Sequence, residues 1–429
     1  MRNGAYGSAG SRAEGASAAR SGTLGRVGWF LGVAAASAAL GAVVGMAGCD
    51  RGQEGSGGGQ GQAEDFRQRD GSAREDGEAA DWPVFHGDQG LRGRVAGRLP
   101  ERLRVVWQFR TGGPVKGSAV IAGSRVYVGS GDKKLYALEL GSGQEAWQFA
   151  TGGEIAGSPC VVDGVVYVGS GDGSVCAVGA EDGRGKWRHA TGGQVAGGVN
   201  WWRDEKGKVR VLAGSYDSKL HCLDGATGEA AWTYEAGGYI NGTAAMAGAW
   251  VVFGSCDAAV HVLRAADGGE LQQVETGAYI PGSPAAEGGR VFVGNYEGAV
   301  LCVEAGSGAV QWRYEGKEPF FATPAVSDDL VIVAGKEQGV YGLEKETGRV
   351  RWTFRAGGAV ESSPITDGEK VLFGCEDGRV YVVRCADGAE ASRWELGTAA
   401  TGSPAASGGL VIVGGEDGVV YALGAAKGN

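Results

Sequence analysis

From about residue 105 onward, short apolar runs alternate with glycine-rich breaks. Runs such as Val126-Tyr127-Val128-Gly129, Val166-Tyr167-Val168-Gly169 and Val291-Phe292-Val293-Gly294 combine β-branched and aromatic residues, which suit a pleated, half-buried surface. Each is followed by a second run, as in Leu135-Tyr136-Ala137-Leu138 or Val380-Tyr381-Val382-Val383, and then by a turn such as Ser142-Gly143 or Thr347-Gly348. Helical periodicity is absent from the region. The pattern predicts an all-β chain of short strands joined by tight turns.

The pattern repeats. Tryptophan recurs at Trp107, Trp147, Trp187, Trp232, Trp312, Trp352 and Trp394, with spacings of 40, 40, 45, 80, 40 and 42. Gln272 stands at the skipped position within the gap of 80, making eight repeats. Eleven residues after each mark comes a kinked step, including Ser118-Ala119, Ser158-Pro159, Ser283-Pro284 and Ser363-Pro364; the eighth, Ser403-Pro404, comes two residues early. Four strands per period correspond to one propeller blade, so the expected fold is an eight-bladed β-propeller. If each tryptophan strand is the outer strand of the preceding blade, Trp107 to Arg110 completes the eighth blade and removes the exposed edges of a linear array.

The tryptophans lead Trp-Gln-Phe, Trp-Arg-His, Trp-Thr-Tyr and Trp-Arg-Tyr, not the Trp-Asp of WD repeats. With Thr-Gly-Gly, Ser-Pro, Val-Tyr-Val-Gly and Leu-Tyr-Ala-Leu following in order, the region 107–424 resembles the pyrroloquinoline-quinone (PQQ)-type propeller repeat. Asp81-Trp82-Pro83-Val84-Phe85-His86-Gly87-Asp88 is similar to the lead-in of such proteins.

Composition narrows the reading. The 84 glycines among 429 residues lack the strict period of collagen, and 43% hydrophobic residues with 12 tryptophans exclude a flexible linker protein. The net charge of −10, without a basic stripe, gives no reason to expect a nucleic-acid partner.

The N-terminal segment reads as an address. Arg2, Arg12, Arg20 and Arg26 precede an apolar run from Trp29 to Gly48 that ends in Met46-Ala47-Gly48-Cys49, a positive region followed by an apolar one. The ending resembles the bacterial lipoprotein signal box, which implies that 1–48 is removed and Cys49 is acylated. A signal anchor is the alternative, because about 20 helical residues also span roughly 30 Å of hydrocarbon. Residues 49–80 are polar and glycine-rich and are expected to be a disordered tether. The propeller then occupies 81–429. The chain is expected to be exported, lipid-anchored on a periplasm-facing membrane, and monomeric.

The candidate chemistry is sparse. An acidic residue recurs at Asp132, Asp172, Asp217, Asp257, Glu297, Glu337, Asp377 and Asp417. Either it binds calcium or, as repetition in every blade favours, it accepts backbone hydrogen bonds in a hairpin turn. His221 and His261 stand where other repeats carry Tyr136, Tyr341, Tyr381 and Tyr421, which points to packing. Seven cysteines follow Cys49, and Cys176, Cys222 and Cys302 fall in the last strand of the period as small core residues. No catalytic or zinc motif occurs. Within the PQQ superfamily, quinoprotein alcohol dehydrogenases carry adjacent cysteines and a calcium-binding Glu, Asn and Asp set on inserted loops; this chain has neither. No catalytic residue, metal or cofactor is expected, with PQQ and calcium as the alternative.

Function is therefore sought where repeats differ. The turn after the tryptophan strand carries Glu154, Gln194, Tyr239, Asn241, Tyr279, Phe320, Phe321 and Glu361, with Lys116 beside an equivalent position. These turns are expected to ring one mouth of the channel and to suit a protein or peptide partner. Phe320 and Phe321 could equally plug the funnel. Trp201 and Trp202, beside the five-residue insertion of the third repeat, form a second candidate patch. The resemblance extends to the propeller lipoproteins of outer-membrane barrel assembly, implying an envelope scaffold; the alternative is a quinone-dependent dehydrogenase acting on an alcohol or sugar.

Overall fold

The computed structural model describes residues 81–426, which carry 32 β-strands and no helix. Cys49 and the tether lie outside the described residues. The strands form eight four-stranded antiparallel sheets, the blades of an eight-bladed β-propeller. In the first blade the strands are Val120–Ala122, Arg125–Gly129, Lys134–Glu139 and Glu145–Ala150. Leu103–Arg110 pairs antiparallel with Val419–Ala425 and is the fourth strand of the sheet containing Ala405–Ser407 and Leu410–Gly414.

The core lies between blades. Leu135 and Trp147 of the first blade share a cluster with Val166, Val168 and Cys176 of the second. Both faces of the middle strands are therefore buried, which is why they read as unbroken apolar runs. Outer strands alternate instead, as in the exposed Gln148 beside the buried Trp147. The cysteine strand, last in the sequence period, is third in its blade because the tryptophan strand that follows closes the same sheet.

Six of the landmark tryptophans, all but Trp394, bridge to the next blade through their indole N–H groups. Trp107 donates to the Leu140 carbonyl at 2.8 Å, Trp147 to Ala180 at 3.0 Å and Trp352 to Cys385 at 2.7 Å. Gln272 makes the equivalent bond, from Nε2 to the Gly306 carbonyl at 3.3 Å. The pairing corrects one landmark. Trp147 lies opposite Ala137 and Trp352 opposite Gly342, but in the seventh blade the equivalent Val382 faces Ser392, while Trp394 faces Val380. Ser392 holds the tryptophan position, and Trp394 corresponds to Phe149 and Phe354. The apparent early arrival of Ser403-Pro404 disappears once the count starts at Ser392.

The kinked steps form a belt around the axis. Backbone N–H groups of Ser118, Thr243, Thr323 and Ser363 donate to the hydroxyls of Ser158, Ser283, Ser363 and Ser403, each 40 residues on, at 2.8–3.0 Å. Blades approach so closely here that a Cβ on Gly157 would come within 2.1 Å of the Gly197 carbonyl oxygen.

The lead-in segment crosses the axis as a plug. Backbone N–H groups of Ile121, Val161, Met246, Ala286, Val326 and Thr366, in six different blades, donate to carbonyls of Trp82, Pro83, Gln89, Gly90, Arg92 and Gly93 at 2.7–2.8 Å. The third blade joins through Asn200, whose Nδ2 donates to the Gln89 carbonyl at 2.9 Å. Trp82, Val84, His86 and Leu91 are buried. Within the plug, the His86 Nδ1 lies 2.8 Å from the Leu91 carbonyl oxygen. Burial lowers the His86 pKa to about 4, against the opposing pull of the Leu91 and Pro364 carbonyls.

Candidate functional site

In an up-and-down blade the turn between second and third strands lies at the same end as the crossover entering the first strand. Hydrogen bonds join them: Gly131, Gly171, Tyr216, Cys256, Tyr296, Lys336, Glu376 and Glu416 donate backbone N–H groups to the carbonyls of Pro114, Glu154, Gln194, Tyr239, Tyr279, Pro319, Ala359 and Ala399. This end is the crossover mouth. The plug bonds to the first strands near their opposite ends.

The recurrent aspartates tie this mouth together. Asp132 accepts from the Gly112 N–H at 2.7 Å and the Lys134 N–H at 3.1 Å, joining crossover to turn, and the Tyr136 hydroxyl donates to it at 2.5 Å. Asp217 and Asp257 repeat the pattern, with His221 Nε2 and His261 Nε2 at 3.0 and 2.9 Å replacing the phenol. Burial disfavours the Asp217 carboxylate, but bonds from the Gly192 N–H and His221 outweigh it and lower its pKa; burial lowers that of His221. The aspartates thus have the hairpin role. Glu297 and Glu337 depart from it. In the fifth blade Asn295 accepts from the Ala299 N–H at 2.8 Å. In the sixth, the buried Glu318 reaches in from the crossover to accept from the Tyr341 hydroxyl at 2.6 Å and from the Glu337 N–H.

The variable side chains at this mouth form an aromatic arc. Tyr279 stacks on Tyr296 with ring centroids 4.3 Å apart, Tyr296 on Phe321 at 5.7 Å, and the Lys336 ammonium sits 4.4 Å from the Phe321 centroid. Tyr216 stacks on Tyr239 at 5.1 Å, and Asn241 Nδ2 lies 3.2 Å from Cys256 Sγ. Tyr239, Tyr279 and Tyr296 are 53%, 37% and 41% exposed, large values for rings in an otherwise buried repeat. The arc ends in charge: Lys336 pairs with Glu361 at 3.0 Å, and Thr401 donates to Glu416 at 2.8 Å.

Tyr239, Asn241, Tyr279, Phe321 and Glu361 are thus gathered at the crossover mouth, with Glu154 and Gln194 exposed on its adjoining part. Phe320 is 1% exposed and packs among Phe292, Trp312 and Leu343, so it is neither a contact residue nor a funnel plug. Trp201 and Trp202 are half-buried beside the interblade clusters, and their hairpin lies at the opposite end. Tyr216, Tyr296 and Lys336 join the residues at the crossover mouth, although none lies in the turn after the tryptophan strand. Their signal was present: the residue before each recurrent acidic position varies from glycine to tyrosine, cysteine, lysine and glutamate.

Among the described residues no group of three or more His, Cys, Asp or Glu side chains is placed to hold a metal ion, and all seven cysteines are free. Burial raises the pKa of the Cys222 and Cys302 thiols to about 12.

Residues 92–238 and 256–428 match the family model described as outer membrane protein assembly factor BamB. The chain belongs to this family. Among solved structures, BamB from Moraxella catarrhalis aligns at 18% identity with a TM-score of 0.66, covering 76% of this chain and 99% of that one. The quinohemoprotein alcohol dehydrogenase from Comamonas testosteroni aligns at 14% identity and a TM-score of 0.68, covering 81% of each chain. The computationally designed Ika8 protein aligns at 17% and 0.64, covering 73% of this chain and 96% of that one. At these identities the shared property is the fold. No curated protein matches the chain in sequence.

Proposed function

We propose that this BamB-family chain is a non-catalytic cell-envelope scaffold, anchored through a lipid on Cys49, whose crossover mouth binds a protein or peptide partner in outer-membrane protein assembly. The observation that carries the reading is the exposed stack of Tyr279, Tyr296 and Phe321. Exposed aromatic rings on a rigid backbone are characteristic anchors of protein interfaces. Family membership supports the envelope setting. The test is a cross-linking pull-down from envelopes with the full chain and with a Tyr279→Ala/Phe321→Ala variant. Loss of one or more partners in the variant supports the reading; an unchanged partner set with the variant defeats it.

A quinone-dependent dehydrogenase is the second reading, favoured by the shared fold of the alcohol dehydrogenase. The residues present do not fit the cofactor. PQQ is a tricarboxylate, whereas the crossover mouth sets Glu154, Glu361, Glu376 and Glu416 against Lys116 and Lys336, and Lys336 is already paired. The chain also lacks two adjacent cysteines. Dye-linked alcohol or sugar oxidation after adding PQQ and calcium, above a heat-killed control, would replace the scaffold with this reading.

A further inference from the structure

Neighbouring blades are joined by a recurrent pair of rings. A ring from the outer strand of one blade meets a ring from the third strand of the next: Phe109 with Tyr136, His189 with His221, Tyr234 with His261, Tyr314 with Tyr341 and Phe354 with Tyr381, at centroid distances of 5.4–5.9 Å. The junction of the fourth and fifth blades carries an aliphatic pair at these positions, Val274 and Leu301. At the junction of the first and second blades Phe149 is present, but the residue that should face it is Cys176. A thiol occupies far less volume than a phenol. An open slot of about 300 Å³ lies here, lined by Phe149, Thr151, Cys176, Lys186 and Arg188, among others.

The slot has a directional chemistry. Its floor is the buried Cys176, whose thiol pKa is raised chiefly by burial, and one wall is Phe149. Its rim carries two cations, Lys186 and Arg188. Both line the slot, Arg188 opposite Cys176 in the sheet and Lys186 at the β-bulge of the same strand. Arg188 pairs with Asp172 at 2.9 Å, whereas Lys186 is exposed and has no ion-pair partner among the described residues. Asp172 is itself fully engaged, accepting from the Gly152 N–H at 2.6 Å and from the N–H and hydroxyl of Ser174 at 3.0 and 2.5 Å.

We propose that the junction of the first and second blades is a binding site for a small aromatic carboxylate, whose ring fills the place of the missing third-strand ring against Phe149 and whose carboxylate meets Lys186. A ring suits the slot because every ring pair in the propeller shows that this interblade space accepts one. An anion suits it because the rim has one more positive than negative charge. A charge-assisted hydrogen bond to Lys186 orients the guest.

Phenylacetate is the probe, with neutral 2-phenylethanol as control, observed by saturation-transfer NMR on the full chain. Phenylacetate should bind with a Kd of about 1 mM or tighter, as expected of a guest this small. It should bind about tenfold more weakly to Lys186→Ala, and 2-phenylethanol should be weaker than phenylacetate by a similar factor. Cys176→Tyr should refill the slot, abolish binding and melt no lower than the parent chain. Absence of transfer to the parent chain at several times that concentration overturns the site. So does equal binding to Cys176→Tyr, or an unchanged Kd for Lys186→Ala. Partner capture at the crossover mouth is a separate readout.

Discussion

The Glu318 carboxylate accepts a hydrogen bond from the Tyr341 hydroxyl at 2.6 Å, taking the part that Asp132 plays toward Tyr136. The carboxylate has moved from the hairpin turn to the crossover, 19 residues earlier in the chain. Glycine makes room for it: a Cβ on Gly335 or Gly339 would come within 2.3 or 2.2 Å of the Glu318 side chain. Glu318→Ala leaves the Tyr341 hydroxyl and the Glu337 N–H without an acceptor and should cost about 2–3 kcal/mol. Glu337→Ala, at the exposed turn position, should stay within about 0.5 kcal/mol of the parent. Urea midpoints compare them, and equal losses would refute the exchange of roles.

Phe320 and Phe321 are adjacent in sequence and opposite in environment. Phe320→Ala should cost about 3–5 kcal/mol by opening a cavity among Phe292, Trp312 and Leu343. Phe321→Ala should cost no more than about 1 kcal/mol, because its ring packs only at the mouth. Chemical denaturation of both variants measures the contrast.

Gly143 and Gly123 both have positive φ, 71° and 58°. Only Gly143 lies against another residue: a Cβ there would meet Cε3 of Trp107 at 2.5 Å, whereas at Gly123 nothing lies within 4 Å. Gly123→Ala should cost about 1–2 kcal/mol from backbone strain alone. Gly143→Ala should cost clearly more, since it also displaces the indole that bridges blades. Thermal melts of the two variants should separate accordingly.

His86 makes the plug sensitive to acid. Its folded pKa of about 4 lies below the ordinary histidine value of 6.5, so between these values the unfolded chain binds a proton that the folded chain does not. Stability is complete above about pH 6.5 and falls as the pH drops toward 4, by on the order of 3 kcal/mol for this group. Below that both states are protonated and the loss levels off. His86 adopts a φ of 61°, which asparagine tolerates, so His86→Asn is the comparison. The stability difference between parent and variant should shrink by this amount between pH 7 and pH 4. A difference independent of pH would show that His86 does not titrate in this window.

Much of the fold was legible because each repeat carries its own instructions. The valine-tyrosine-valine runs and the turn glycines act within one hairpin, the aspartates reach back 20 to 25 residues to the preceding crossover, and Gln272 could be placed by counting alone. The count failed once, at Trp394, because an aromatic residue two positions along keeps the same side of the strand and looks like the landmark. Only the pairing of Val382 with Ser392 distinguishes the two. At the mouth, Tyr239, Tyr279 and Phe321 were found as breaks in the glycine pattern, whereas Tyr296 and Lys336 were missed because they sit in a different turn of the blade.

By itself the sequence determined the all-β class, the four-strand unit and the number of blades, since these follow from short-range periodicity. The tertiary structure alone decided which of two adjacent phenylalanines is buried, how residues 82–95 thread the axis and which interblade slot lacks a ring. Those depend on contacts between positions far apart in the chain. Facing rings such as Phe109 and Tyr136 belong to different blades, and Trp82 in the plug pairs with Ile121 in the first strand of the first blade.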